Sequence, residues 1–246
     1  INNLKTKKEE FLKKLEERNI KYEEGELEDF VIVKKAKDIE SLDIFKQGLF
    51  TVQDEAAGLA ARTLGVLPND KVLDACSAPG GKTTYLAEIM ENKGKILAWD
   101  VHKHRTKLVE DSANRLGITI IKTQVQDASE FNPEYVEKFD KILLDVPCLG
   151  IGVLKRKPDI KWSRKKDDIY EITQLQKNIL DNCSKYLKKG GFLVYSTCSI
   201  LKKENIDIIE CFLKGNPNFK IANMEIEEFY KKYYKDNKYI QVYPNS

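Results

Sequence analysis

From Lys71 onward the chain alternates short apolar runs with amphipathic helical patterns, and this alternation restricts the fold more than any other feature. Short Val, Ile and Leu-rich runs, each followed by a helix signal, are the pattern of a parallel sheet with helices on its faces. Strands are expected at Lys71–Ala75, Lys95–Asp100, Thr119–Thr123, Lys141–Leu144 and Gly191–Tyr195, with another near Phe219–Ala222. Helices are expected after Pro79-Gly80-Gly81 through Met90, from Lys103 to Leu116, from Asp168 to Leu187 and from Glu204 to Leu213. The fold class that follows is α/β, a doubly wound and mostly parallel sheet.

Residues 1–47 read as a small N-terminal α/β subdomain, and residues 48–246 as the main domain. Thr6-Lys7-Lys8-Glu9 has the form of a capping box, and Phe11, Leu12 and Leu15 follow at helical spacing. Phe30–Val33 reads as a short strand, Gln47-Gly48-Leu49-Phe50 as the joint, and Gln53–Leu64 as a helix leading into the main domain. The opening Ile1-Asn2-Asn3-Leu4-Lys5 lacks an apolar core of the secretory type, so no leader peptide is expected. The missing initiator Met reads as the mark of a fragment. No apolar run approaches the roughly 20 residues of a membrane span, so a cytoplasmic protein without membrane partners is expected.

Lys and Arg number 42 against 39 Asp and Glu, a net charge of +3, so the overall balance does not announce a polyanion. Local clustering says more. Lys155-Arg156-Lys157 and Lys161-Trp162-Ser163-Arg164-Lys165-Lys166 follow soon after Cys148. Such runs are either a solvated face or, beside an active site, a phosphate-contact surface. Trp162 could stack on a base, but is expected to pack beneath its loop.

Five cysteines, Cys76, Cys148, Cys183, Cys198 and Cys211, form no C-x-x-C pair, and His102 and His104 have no suitably spaced partners. No metal site is expected. An odd count without a leader points to reduced thiols, with Cys183 and Cys211 read as core residues on helices.

The loop Asp74-Ala75-Cys76-Ser77-Ala78-Pro79-Gly80-Gly81-Lys82-Thr83-Thr84 joins a strand to a helix. Its glycines let a ligand reach the backbone, and the helix N-terminus supplies donors and a positive dipole end. A P-loop NTPase reading fails at Cys76, where G-x-x-x-x-G-K-[ST] requires glycine, and G-x-G-x-x-G is absent. Asp100, at the end of the next strand, can accept ribose hydroxyls. Asp127 could receive an adenine amino group or be a solvated turn residue. Three acids around one crevice favour an adenosine ligand without a triphosphate, and S-adenosylmethionine fits.

Two further motifs stand at strand ends: Asp145-Val146-Pro147-Cys148 and Ser196-Thr197-Cys198-Ser199. In an open parallel sheet the crevice lies at the carboxyl ends of the strands. Two thiols there, one beside a carboxylate, suggest covalent chemistry.

With these residues, the chain resembles the RsmB/Sun family of RNA cytosine-C5 methyltransferases, including its bacterial 16S ribosomal RNA enzymes. The resemblance rests on Val52-Gln53-Asp54-Glu55-Ala56, Asp74 to Thr84, Asp145-Val146-Pro147-Cys148-Leu149-Gly150, Lys157-Pro158-Asp159-Ile160-Lys161-Trp162 and Ser196-Thr197-Cys198-Ser199. Leu149 stands where many members have Ser, and Lys157 where many have His. The chain ends before the D-G-F-F segment of such enzymes, and it lacks their usual N-terminal NusB-like domain. The resemblance implies a class I, Rossmann-like methyltransferase fold, S-adenosylmethionine as cofactor, RNA as partner and a monomer. It implies cofactor contacts from Cys76, Ser77, Ala78, Pro79, Gly80, Gly81, Lys82, Asp100, Arg105, Asp127 and Asp145. It assigns attack on cytosine C6 to Cys198 and breakdown of the adduct to Cys148. Asp145 would hold the base at N3 and the exocyclic amine. Lys82 would balance Asp145 or lower a thiol pKa, or else point to solvent. A non-catalytic RNA-binding module on the same fold is the alternative, against which the intact Asp145, Cys148 and Cys198 stand.

Overall fold

The computed structural model describes residues 1–34, 38–154, 159, 162, 167–222, 228–236 and 238–243. Helix α1 (Lys8–Glu16) buries Phe11 and Leu15. They meet Ile44 of α2 (Asp43–Lys46), Leu49, and Val31 of the hairpin β1 (Tyr22–Glu24) and β2 (Val31–Val33). The expected capping box does not form. α1 begins at Lys8, so Glu9 arrives a residue early for the reciprocal bond, and the Thr6 hydroxyl donates to the Lys7 carbonyl instead. Gly48 adopts φ +72°, and a Cβ there would stand 1.9 Å from the Arg115 carbonyl oxygen. Arg115 donates to the carbonyls of Phe45 and Phe50, so this close approach seats the first 50 residues on the main sheet's helical layer.

Helix α3 (Glu55–Thr63) starts at Asp54, whose carboxylate accepts from the Ala56 N–H. The sheet follows, with β3 (Lys71–Asp74), β4 (Lys95–Asp100), β5 (Ile121–Val125), β6 (Phe139–Asp145) and β7 (Leu187–Ser196). All pair in parallel, in the spatial order β5-β4-β3-β6-β7. Strand β5 begins two residues later than the sequence pattern suggests, because Ile121 to Val125 pair with Ile96 to Asp100. β7 starts earlier than expected, at Leu187.

Side-chain alternation along the strands divides the core in two. Val72, Ile96 and Leu143 face α3, α4 (Gly81–Ile89) and α5 (Lys103–Leu116), meeting Leu64, Leu86 and Leu116. Leu73, Ile142 and Leu144 face α6 (Asp168–Ser184) and α7 (Ile206–Gly215), meeting Ile179, Cys183, Ile208 and Phe212. The sheet is therefore doubly wound. Cys183 is buried as expected, but Cys211 is exposed, because α7 turns Ile208 and Phe212 inward and leaves position 211 outside. Phe219–Ala222 is not a strand: Phe219 packs on Phe212 at 5.1 Å between ring centres, and the segment pairs with no strand. A small antiparallel hairpin, β8 (Tyr234–Lys235) with β9 (Tyr239–Ile240), lies later in the tail.

Strand order reverses between β3 and β6, which puts a crevice at the carboxyl ends of those two strands. Leu143 is fully buried at this centre. Leu143→Ala is expected to lower unfolding stability by about 2–5 kcal/mol in urea titration, with the secondary structure retained.

Candidate active site

Asp74 ends β3 and is almost completely buried. One carboxylate oxygen accepts from the Thr83 hydroxyl at 2.7 Å, while the other, Oδ1, has no partner among the described residues. Burial pushes its pKa up to about 7, and the negative Asp145 nearby adds to the rise. Beyond Asp74 the chain turns sharply. Ser77 donates from its N–H and its hydroxyl to the Trp99 carbonyl, which anchors the loop to β4. Gly80 has φ +108°, with Val109 of α5 3.1 Å from where a Cβ would sit, so glycine is the residue that fits. Helix α4 then starts at Gly81, its N-terminus facing the crevice.

This loop forms one wall of an open cleft holding about 500 Å³ of non-atom space, part of it open to solvent. Asp74, Cys76, Ser77, Ala78, Pro79, Gly81, Lys82 and Asp145 line it. Val52, Gln53 and Ala57 line it as well, with the Gln53 side chain 3.6 Å from where a Cβ on Gly81 would stand. Both polar atoms of the Gln53 side chain are buried without a hydrogen-bond partner, as is Asp74 Oδ1. Buried polar groups in native proteins are nearly always paired. Unpaired donors and acceptors lining one cleft therefore mark a place for a polar ligand. Gln53 lies in the Val52–Ala56 motif, which on sequence alone carried no site role, and the fold sets it beside Gly81 in the cleft.

Asp100 and Arg105 do not line the cleft but brace its edge. Asp100 is buried, accepts from the His102 N–H at 3.0 Å and lies 3.4 Å from Arg105. Arg105 in turn donates to the Ala78 carbonyl at 3.0 Å. Asp127 lies outside the cleft lining, and its Oδ1 accepts from the Ser129 N–H and hydroxyl, closing a local turn.

Across the strand-order reversal, Asp145 ends β6. Its Oδ2 receives the Lys82 ammonium at 2.6 Å and its Oδ1 the Ser196 hydroxyl at 2.7 Å. Lys82 thus does not point to solvent. Cys148 and Cys198 follow on adjacent strand ends, their sulfurs 3.0 Å apart, and the Cys198 N–H points to the Cys148 sulfur at 3.3 Å. The pair is electrostatically unequal. Donation from the Cys148 thiol pulls the Cys198 pKa down to about 7, overcoming its partial desolvation. The same bond, with burial, drives the Cys148 thiol well above the ordinary range. Cys76 is also pushed far up, by burial, so the third strand-end cysteine is inert as a nucleophile.

Trp162 is not packed beneath its loop. It is 83% exposed, its backbone turning off Asp159. The basic residues Lys155, Arg156, Lys157, Lys161, Arg164, Lys165 and Lys166 lie outside the described residues. Among the described residues there is no cluster suited to a metal ion.

A family model described as 16S rRNA methyltransferase RsmB/F matches residues 61–246. A probable ribosomal RNA small subunit methyltransferase B of Bacillus subtilis is 40% identical over 220 residues, covering 89% of this chain and 49% of that protein. The ribosomal RNA small subunit methyltransferase B of Shewanella oneidensis is 41% identical over 226 residues, 91% of this chain and 52% of that protein. The chain thus spans about half the length of these relatives. The crystal structure of PH0851 superposes with a TM-score of 0.89 at 39% identity, over 94% of this chain and 52% of that one.

Two outcomes follow from the electrostatics. Iodoacetamide labelling of Cys198, mapped by mass so that Cys211 is resolved from it, is expected to rise with a midpoint near pH 7. Asp74 carries a folded-state pKa above its unfolded one, so its contribution to stability is full below about pH 4 and is lost as pH rises through 7. Asp74→Asn is therefore expected to flatten the decline of the ligand-free melting temperature between pH 5 and 8.

Proposed function

The chain belongs to the RsmB/F family of 16S rRNA methyltransferases, and on that premise we propose that it methylates C5 of a cytosine in 16S ribosomal RNA. S-adenosylmethionine is the donor in this reading, and the attack proceeds through a covalent cysteine–C6 adduct. The observation that carries the reading is the pair of sulfurs 3.0 Å apart beside a cleft with unpaired polar walls.

The cleft residues fit the cofactor. The Cys76–Lys82 loop and the N-terminus of α4 offer backbone to the ligand, and Gln53 and Asp74 offer the unpaired side-chain atoms. Asp100, braced by Arg105, is assigned to the ribose, and Asp127 to the adenine edge. When bound, S-adenosylmethionine supplies an electrophilic methyl group.

Cytosine C5 is too weakly nucleophilic to react unaided. The Cys198 thiolate adds to C6, forming the S–C6 bond and shifting electron density into C5 and N3. N3 takes up a proton from solvent as that density arrives, and the Asp145 carboxylate accepts from this N3–H and from the exocyclic amine, with the Lys82 ammonium on its other face to supply positive charge. Once C5 carries its methyl group, solvent takes the C5 proton, and the electron pair of that C–H bond restores the C5–C6 double bond as the S–C6 bond breaks and Cys198 leaves as a thiolate. Cys148, protonated and adjacent to the departing sulfur, assists that release. A duplex would have to surrender the base, so a loop or unpaired nucleotide is the easier substrate. Residues 1–47 act as an accessory subdomain to the catalytic unit 48–246. The chain works as a monomer in the cytoplasm. No helix among the described residues is long and apolar enough to cross a membrane.

Cys198→Ala is expected to abolish cytosine methylation of small-subunit RNA, measured by mass mapping. Cys148→Ala is expected to accumulate a protein–RNA adduct resistant to denaturant. Persistent methylation by the Cys198→Ala protein would refute the assignment.

A further inference from the structure

Glu204 is fully buried, yet no basic side chain pairs with it among the described residues. Such a group is costly to keep unless several donors converge on it. Here they come from both cysteine loops. Oε2 accepts from the Leu149 N–H at 2.9 Å and from the Gln176 amide at 3.1 Å. Oε1 accepts from the Ser199 hydroxyl. The Gln176 amide also donates to the Pro147 carbonyl at 2.8 Å. One carboxylate thus holds Leu149, which follows Cys148, and Ser199, which follows Cys198, and it reaches Pro147, which precedes Cys148, through Gln176.

The neighbouring contacts complete the clamp. Asn205 accepts from the Thr197 hydroxyl at 2.7 Å and donates to the carbonyls of Ser199 and Leu201, each at 2.9 Å. The Glu204 carbonyl accepts from the Tyr195 hydroxyl at 2.8 Å. Gly152, beyond Cys148, donates its N–H to the Cys198 carbonyl at 3.0 Å, where a Cβ would come within 2.8 Å of that oxygen. Gln176 enters from α6, on the helical layer beneath both loops.

We propose that Glu204 is a positioning residue that ties the loop after β6 to the loop after β7, and so holds the two sulfurs at the separation that makes Cys198 the attacking one. The inference rests on the reading of Cys198 as the nucleophile. Cys198 itself faces Cys148, Asp145 and Lys82, and its ionisation depends on the thiol donated by Cys148. A clamp that fails lets the sulfurs separate, and the Cys198 pKa returns towards the ordinary thiol range of about 8.5. The distinction is between geometry and charge. An amide at position 204 can still accept from the Leu149 N–H and donate to the Ser199 hydroxyl, whereas a methyl group can do neither.

The test measures iodoacetamide labelling of Cys198 against pH in the whole chain, with no RNA or cofactor present. Circular dichroism and S-adenosylmethionine binding check that each variant is folded. Glu204→Ala is expected to move the labelling midpoint upward by more than one pH unit and to slow labelling at pH 7 about tenfold. Glu204→Gln is expected to stay within about twofold of the unaltered protein. An unmoved midpoint in folded Glu204→Ala overturns the proposal, and so does a Glu204→Gln shift as large as that of Glu204→Ala. If Glu204→Ala does not fold, Gln176→Leu carries the test. It is expected to slow labelling at pH 7 about threefold, and no change overturns the proposal. Failure here leaves methylation by the unaltered protein untouched, whereas failure of the nucleophile assignment appears as methylation by Cys198→Ala.

Discussion

The parallel pairing of β6 with β7 is the constraint on which the site depends. In its register Leu144 faces Tyr195 and Asp145 faces Ser196, so both strands end at the same level. The loops that leave them then carry Cys148 and Cys198 to neighbouring positions. A slip of one residue would turn Asp145 from the crevice to the other face and separate it from Ser196. Hydrophobic alternation guards against that slip, because Ile142 and Leu144 belong to one core face and Leu143 to the other. Packing therefore sets the chemistry's geometry before any polar contact is made.

The Lys82–Asp145 ion pair joins the two halves of the crevice. Lys82 belongs to the first turn of α4, which with the preceding loop forms the ligand wall, and Asp145 to the strand that leads to the first thiol. The partly buried pair neutralises two charges that would each be expensive alone. Near Cys198 its two members pull in opposite directions, Asp145 against the thiolate and Lys82 more weakly for it, so the thiolate owes its stability to the Cys148 hydrogen bond. Asp74, one strand away, makes no ion pair among the described residues and is driven towards its neutral form by burial, against a weaker pull from Lys82. Two acids at adjacent strand ends thus sit in opposite electrostatic settings.

The sheet was legible because its three central strands are apolar runs buried on both faces, and its edge strands keep shorter apolar runs. The glycine loop and both cysteine motifs were legible because each needs particular residues at fixed spacing. What was misread has a common physical origin. Cys211 and Trp162 are apolar enough to suggest burial, but their exposure depends on which way a helix or loop is turned. The capping box at Thr6 matched a spacing, yet the helix began one residue away. Phe219 packs as a single ring against Phe212, and four residues with one buried contact do not make a strand.

By itself, the sequence determined the parallel α/β sheet, the glycine turn before α4, and the presence of two thiols and a carboxylate at strand ends. Those features are local: they depend on periodicity, on the conformational freedom of glycine, and on residue type. Only the tertiary structure decided that Gln53 and Asp74 line one cleft, that Lys82 reaches Asp145, and that Glu204 collects both cysteine loops. It also made the two thiols unequal, because the donor that stabilises one sulfur lies 50 residues away in the chain. Such pairings cost chain entropy to bring together and are repaid only by the packed sheet, so no local pattern announces them.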